Sequence, residues 1–353
     1  MLVPRNLGDI TTDWLTEALA PAFPGGEVTG LSVTDVSYGS ACRARLVLDS
    51  GPDGSLPQTL ITKGSFTEGL GSDEVAQQWL RLMATLNSAE HTFYTSHAAA
   101  LGDRAPACFH ADAAEDGTTI LLLEDLRARH ATFGAFDHPR SPAEQAQTLD
   151  ALARLHARRW DDPALESDPL PDGMSDGGML DALLSQSNWE QQAERSRWSR
   201  VPSELDDRTK VVDAITRLWG IKRARGGCLI HGDPHIANTF VDASGAGLLD
   251  FQLFTSGHWA SDVVYSIASA LTISDRRNHE RDLLAGYLAA LESHGAQPPS
   301  WDEAFLAYRQ FSLWGFVVLL TPGEGVQSEE YNTVVGERHA VAAVDLDALG
   351  AIS

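Results

Sequence analysis

Lysine is nearly missing from this chain: Lys63, Lys210 and Lys222 are the only ones in 353 residues. Lysine and arginine together number 26 against 49 acidic residues, for a formal net charge of -23 at pH 7. Binding to a phosphate backbone depends on Lys and Arg neutralisation, so this charge balance argues against a nucleic-acid partner. Cysteine is equally sparse. Cys42, Cys108 and Cys228 form an odd, widely spaced set without a C-x-x-C pair, which indicates neither a disulfide framework nor a zinc site. No apolar run approaches the ~18 residues of a membrane helix, and the N-terminus does not resemble a signal peptide, so the expected compartment is the cytoplasm with no membrane partner. There is no internal repeat and no low-complexity tract. What remains is a 43% apolar chain long enough for two lobes with a substantial core.

Against that background, one stretch carries chemistry. His231-Gly232-Asp233-Pro234-His235-Ile236-Ala237-Asn238 is followed, after a short hairpin, by Leu248-Leu249-Asp250-Phe251-Gln252. Residues 228–230, 239–241 and 247–249 read as short apolar strands, with a turn at 242–245. The acidic groups therefore fall at strand ends. Gly, Asp, Asn and Pro are also common in plain polar turns, but several parts agree here in order and context. Transfer of a γ-phosphoryl group asks the protein mainly for positioning and charge neutralisation. Asn238 and Asp250 offer the hard oxygen ligands that Mg²⁺ takes alongside water and phosphate. Asp233 is left for the acceptor, and in the kinase pattern that this loop resembles its first Asp receives the proton of the attacking hydroxyl.

H-G-D-x-x-x-x-N with D-F-Q resembles the aminoglycoside phosphotransferase and choline kinase superfamily, which shares the protein-kinase-like fold. Asp250-Phe251-Gln252, Leu121-Leu122-Leu123-Glu124-Asp125-Leu126 and Leu152-Ala153-Arg154-Leu155-His156-Ala157-Arg158-Arg159-Trp160 bring it nearest to the ecdysteroid-kinase-like branch. The resemblance implies an α+β, two-lobed enzyme that uses ATP and Mg²⁺. Its small antiparallel-sheet lobe would span 1–126, with a hinge near 124–128, and its mainly helical catalytic and acceptor lobe 127–353.

The rest of the site is then sought upstream. Residues 31–37 and 42–49 read as a hairpin whose turn, with Gly39 and Ser40, has room for backbone N–H groups to approach phosphates; an ordinary hairpin turn fits equally well. The next strand, 59–63, ends in Lys63, which matches the family lysine on the α- and β-phosphates. Its partner lies on the helical region 72–101. Glu74 has the ordinary role of an acid in a first helical turn, whereas Glu90 resembles the E-x-x-F-Y segment of the branch, so Glu90 is chosen. Strands at 106–110 and 119–124 surround a turn at 114–117 and lead into Glu124 and Leu126, where the family hinge offers backbone groups to an adenine ring.

Downstream, Ser141-Pro142-Ala143-Glu144 is a helix start with serine as cap, proline first and glutamate at the third position. His156 falls on that helix's apolar stripe and reads as a core histidine, outside the site. Residues 161–207 are irregular, either a lid or disordered. Residues 305–320 are strongly apolar and aromatic and mostly core; were one face open, it would suit an apolar acceptor. Asp262 matches the superfamily aspartate that binds the catalytic-loop backbone, and serves as well as a plain helix cap. The step from Asp250 to Asp262 leaves no room for a long activation segment, and there is no A-P-E signature. The acceptor is therefore a small molecule carrying a hydroxyl. With Gln252 in place of glycine, the site is expected to stand assembled without regulation. The branch resemblance implies an apolar, steroid-like or secondary-metabolite alcohol. The rivals are a cationic aminoglycoside- or choline-type acceptor and a non-catalytic nucleotide-binding relative, the latter disfavoured because the lysine, aspartate and metal positions are all present.

Overall fold

A computed structural model describes residues 1–38, 41–51, 54–66, 74–167, 170, 172, 174, 178–224, 227–322 and 327–352, with the side chains of 74–81, 166–167 and 222–224 outside that description. The chain divides into two compact units, Met1–Ala131 and Thr132–Ser353.

The first unit is built on a five-stranded sheet. Its strands are β1 (Val28–Tyr38), β2 (Cys42–Ser50), β3 (Thr59–Gly64), β4 (Cys108–Ala113) and β5 (Thr119–Glu124), in the order β1-β2-β3-β5-β4. All neighbours run antiparallel. Strand β2 shows the period of two that places alternate side chains on one face: Cys42, Ala44, Leu46 and Leu48 are buried. Residues 119–123 of β5 are all buried, so this central strand is covered on both faces. Two helices, α1 (Thr12–Leu19) and α2 (Glu74–Ser96), pack against the sheet. Leu15 and Leu19 of α1 join Leu46, Leu60, Ile120 and Leu122 in one apolar cluster. Strand β4 begins later than the sequence pattern suggests, at Cys108, with Ala107 still bonded to Glu124 and Pro106 lacking an N–H.

The second unit is mainly helical. Its first long helix, α3 (Pro142–Ala157), starts as its sequence predicts: Ser141 Oγ accepts from Glu144 N at 3.3 Å, and Glu144 Oε2 accepts from Ser141 N at 2.9 Å. Helices Arg208–Ala224, Trp259–Ala270, Ile273–Ser293, Trp301–Phe311 and Glu329–Asp345 supply most of the remainder. Short strands carry the motif. Strands β6 (Thr132–Phe133), β8 (Thr239–Asp242) and β9 (Gly245–Leu248) form one ribbon, while β7 (Cys228–Ile230) pairs with β10 (Thr255–Gly257). From Gly178 the irregular region is folded into this unit. Trp189 stacks on Phe316 at 5.5 Å, and Trp198 meets Trp189 at 5.0 Å, so its tryptophans act as apolar pins. The stretch 305–320 is core along most of its length: Tyr308, Phe311, Trp314 and Phe316 are buried, and Leu306 is exposed. Among the described residues no helix is long and apolar enough to cross a membrane.

Candidate active site

In the first unit the register β2-β3-β5 sets Arg43, Lys63 and Leu121 side by side. Lys63 is 9% exposed, and its Nζ lies 2.7 Å from Glu90 Oε1 and 2.6 Å from Oε2. Glu90 stands in the second half of α2, at 1% exposure. Of the two glutamates weighed on this helix, the one with the E-x-x-F-Y context therefore meets the lysine; the Glu74 side chain lies outside the described residues. So do Gly39 and Ser40, although Tyr38 and Cys42 on either side of their turn pair across the hairpin. At the end of β5, Glu124 N donates to Ala107 O at 2.8 Å, and Ala107 N returns to the Glu124 carboxylate at 3.2 Å. Asp125 caps the next turn through Arg127 N and pairs with Arg45 Nε at 2.7 Å. The Leu126 carbonyl accepts from Ala131 N at 3.2 Å, closing that turn.

In the second unit the motif wraps around a buried aspartate. Asp262 is 1% exposed in the first turn of Trp259–Ala270, a helix capped by His258 and not by Asp262. Its Oδ2 accepts from His231 N at 2.7 Å and its Oδ1 from Gly232 N at 3.0 Å. His156, fully buried on α3, lies with Nε2 3.2 Å from Asp262 Oδ2 and Nδ1 2.7 Å from the Tyr287 hydroxyl. The histidine set aside as core is a satisfied core group that also braces the aspartate holding the motif. Gly232 has φ of +86°, and a Cβ there would stand 2.1 Å from the Leu253 carbonyl oxygen. Only glycine fits that turn.

Beyond the turn, Asn238 Nδ2 donates to the Asp233 carbonyl at 2.9 Å and lies 3.4 Å from its carboxylate Oδ2. Tying the NH₂ group there assigns the other end of the amide to oxygen. The Asn238 main-chain carbonyl accepts from Leu249 N at 2.8 Å, which sets residue 238 beside the strand leading to Asp250. Asp250 sits at φ of +60°, a left-handed conformation that aspartate tolerates better than most residues. His231 Nε2 fastens the same turn to the Leu249 carbonyl at 2.8 Å.

The charges here are crowded. Burial, and then the like charge of Asp250, push the Asp233 carboxyl well above the usual carboxylate range, while a hydrogen bond from the Tyr265 hydroxyl pulls it back. Its side chain nonetheless keeps 30% of its surface open. Burial also pushes Asp262 up, but His156 and the His231 N–H outweigh it and hold Asp262 below its ordinary value. His235 is driven by burial to about 4. Since its Nδ1 accepts from Ala237 N at 3.1 Å, the ring is neutral with its proton on Nε2, 3.6 Å from Asp233 Oδ2. The Asp250 carboxylate and the Asn238 amide oxygen are hard oxygen donors of the kind Mg²⁺ takes alongside waters and phosphate. Among the described residues there is no cluster of three or more His, Cys, Asp or Glu that could hold a metal without other donors.

The chain has counterparts among known proteins. The model of the phosphotransferase enzyme family matches residues 84–304. The chain belongs to that family. It is a small-molecule phosphotransferase, and both the Glu90 region and the whole motif of 231–250 fall within the matched residues. Two solved structures show the same fold. The ethanolamine kinase of Plasmodium vivax is 12% identical over 88% of this chain and 81% of its own, with a TM-score of 0.50. The choline kinase of Cryptosporidium parvum is 10% identical over 97% of this chain and 98% of its own, with a TM-score of 0.51. No curated protein matches the chain. For this phosphotransferase, sequence reasoning passed over Tyr265, one helical turn after Asp262, whose hydroxyl bonds the Asp233 carboxyl. Spacing from Asp262 could have pointed to it.

Proposed function

We propose that this phosphotransferase moves the γ-phosphoryl group of Mg-ATP to a hydroxyl of a small molecule. The observation that carries this reading is the turn 231–238: Asp262 holds its backbone by two hydrogen bonds while Asn238 holds Asp233 at its tip. Asp233 orients the acceptor hydroxyl and takes its proton as the oxygen attacks phosphorus. Asn238 and Asp250 would hold the metal, which when bound neutralises charge on the phosphate oxygens. Lys63 grips the α- and β-phosphates, with Glu90 fixing its position. The hairpin turn with Gly39 and Ser40 would cover the phosphates, and backbone groups at Glu124 and Leu126 would receive the adenine. The nucleotide lobe ends at the 124–128 hinge in this reading.

The resemblance to the ecdysteroid-kinase-like branch favours an apolar, steroid-like or secondary-metabolite alcohol. The aromatic stretch 305–320 lends that choice little support, since most of its rings are core. A cationic alcohol is the second reading, favoured by the excess of 49 acidic over 26 basic residues. The test is to incubate wild type and Asp233→Asn with Mg-ATP and a metabolite extract and to follow new phosphorylated species by mass spectrometry. Products that need Asp233 support the reading. Products formed equally by both proteins would remove Asp233 from its role.

A further inference from the structure

Cys42, Ala44, Leu46 and Leu48 are the buried side chains of β2, and the alternate residues Arg43 and Arg45 point to its other face. That face also carries Lys63. Directly opposed residues of antiparallel strands share a face, with Cβ atoms about 4.5–5.5 Å apart, and Arg43 is paired directly with Lys63. Arg45 is committed to the fold: its Nε lies 2.7 Å from the carboxylate of Asp125, whose side chain is 2% exposed. Arg43 is exposed, and among the described residues no hydrogen bond or ion pair holds it. Two acids that could neutralise it are taken. Glu90 sits on Lys63, and Asp35 of the neighbouring strand β1 accepts from Arg127 at 2.6 Å. Like charges directly opposite one another destabilise a sheet, so two cations against the one Glu90 carboxylate leave this patch short of an anion. On its other side Arg43 pairs with Ser37, two residues before Gly39 in the hairpin turn.

We propose that Arg43 is a second phosphate-binding residue, its guanidinium taking oxygens of the nucleotide's polyphosphate beside the Lys63 ammonium. This rests on the phosphotransferase reading above and adds a contact from a strand which that reading leaves unused; Arg43 lies before residue 84, where the family match begins. A guanidinium can bind two phosphate oxygens at once through its planar fork, whereas an ammonium acts as a point charge. The two cations divide the task, with Lys63 fixed in place by Glu90 and Arg43 closing on phosphate as the nucleotide enters. The polyphosphate supplies the anion that offsets their repulsion.

The experiment measures the affinity of wild type, Arg43→Ala and Arg43→Lys for Mg-ATP by calorimetric titration, at low and at high salt, together with the Tm of each protein without nucleotide. Arg43→Ala is expected to weaken Mg-ATP binding about tenfold, the equivalent of one lost charge-assisted hydrogen bond, and to bind with less dependence on salt than wild type. Arg43→Lys restores the charge without the fork and should recover part of the loss. Without nucleotide, Arg43→Ala should melt no lower than wild type, since it removes a cation opposed to Lys63. Mg-ATP affinity within twofold of wild type in Arg43→Ala overturns the proposal and leaves the phosphotransferase reading standing. So does an affinity loss that comes with a fall of several degrees in the nucleotide-free Tm and is not relieved by lysine, which would make Arg43 a structural part of the hairpin. Failure of wild type itself to bind Mg-ATP would count against both.

Discussion

Both carboxylate oxygens of Glu90 lie within 2.7 Å of Lys63 Nζ, and the two residues are 9% exposed or less. A buried pair of this kind is costly to break from one side, because the remaining charge stays desolvated. Lys63→Met should destabilise the protein by about 3–5 kcal/mol in urea denaturation and abolish thermal stabilisation by Mg-ATP. Glu90→Gln retains the volume and a hydrogen-bond acceptor, so it should fold more stably than Lys63→Met and raise KM for ATP about tenfold. Equal Mg-ATP affinity in wild type and both variants would show that the pair is structural only.

Asp262 uses its two oxygens on two adjacent backbone N–H groups, and asparagine has one acceptor oxygen to offer. Asp262→Asn should therefore lower kcat by two orders of magnitude or more, as expected when a catalytic group is displaced by about an ångström, with a modest change in KM for ATP. His156→Phe, one step further out, should show a smaller loss of the same kind. If kcat in Asp262→Asn stays within a few-fold of wild type, the turn does not depend on this aspartate.

Asp233 is held in a desolvated position against the like charge of Asp250. Asp233→Asn removes that repulsion at neutral pH, so metal-free variant protein should be more stable than metal-free wild type by about 1 kcal/mol, a function-for-stability exchange common at catalytic groups. Product formation should fall by a factor of about 10²–10⁴, the usual contribution of a positioned acid or base. Denaturation of both proteins in chelator, paired with product assays, checks the two halves separately.

His339 is 1% exposed, stacks on Tyr265 at 4.6 Å, and is driven by burial to about 3. In the folded chain it stays neutral while the unfolded chain takes up a proton below about 6.5, so its contribution to stability is present above that value and is lost as pH falls towards 3. Between pH 7 and pH 5 this amounts to about 2 kcal/mol. His339→Phe keeps a ring on Tyr265 and should lose measurably less stability over the same interval. Parallel losses in the two proteins would show that the residue is protonated in the native state.

Gly232 combines φ of +86° with backbone oxygen 2.1 Å from where a Cβ would be. Gly232→Ala has to move the turn that carries Asp233. It should cost roughly 1–3 kcal/mol in stability and reduce kcat by far more than its bulk would suggest. Near-normal kcat in this variant would mean that the turn relaxes without moving Asp233.

Much of the site was legible because its parts are local. The strands around the motif follow from short apolar runs between turn residues, and they place Asn238 against Leu249 through a single ladder contact. The start of α3 is written in Ser141, Pro142 and Glu144, three residues whose capping interactions need no tertiary partner. The choice of Glu90 over Glu74 needed the resemblance, since an acid in a first helical turn and an acid reaching a strand lysine look alike in periodicity. The irregular stretch 161–207 was not legible: what orders its described part is Trp189 and Trp198 packing on Phe316, a contact between rings distant in sequence.

By itself the sequence determined the local chemistry: a glycine where only positive φ fits, carboxylates and an amide at strand ends, a lysine closing a strand, and too few cations for nucleic acid. Tertiary structure alone decided which of these groups are supported and which neighbours they gain. Period and spacing act over a few residues, whereas His156 reaches Asp262, Tyr265 reaches Asp233, and Tyr331 reaches His235 across separate elements. Those contacts depend on how side chains fill the space between elements once packed, and the burial that drives His235 and His339 to low pKa values exists only in the folded chain.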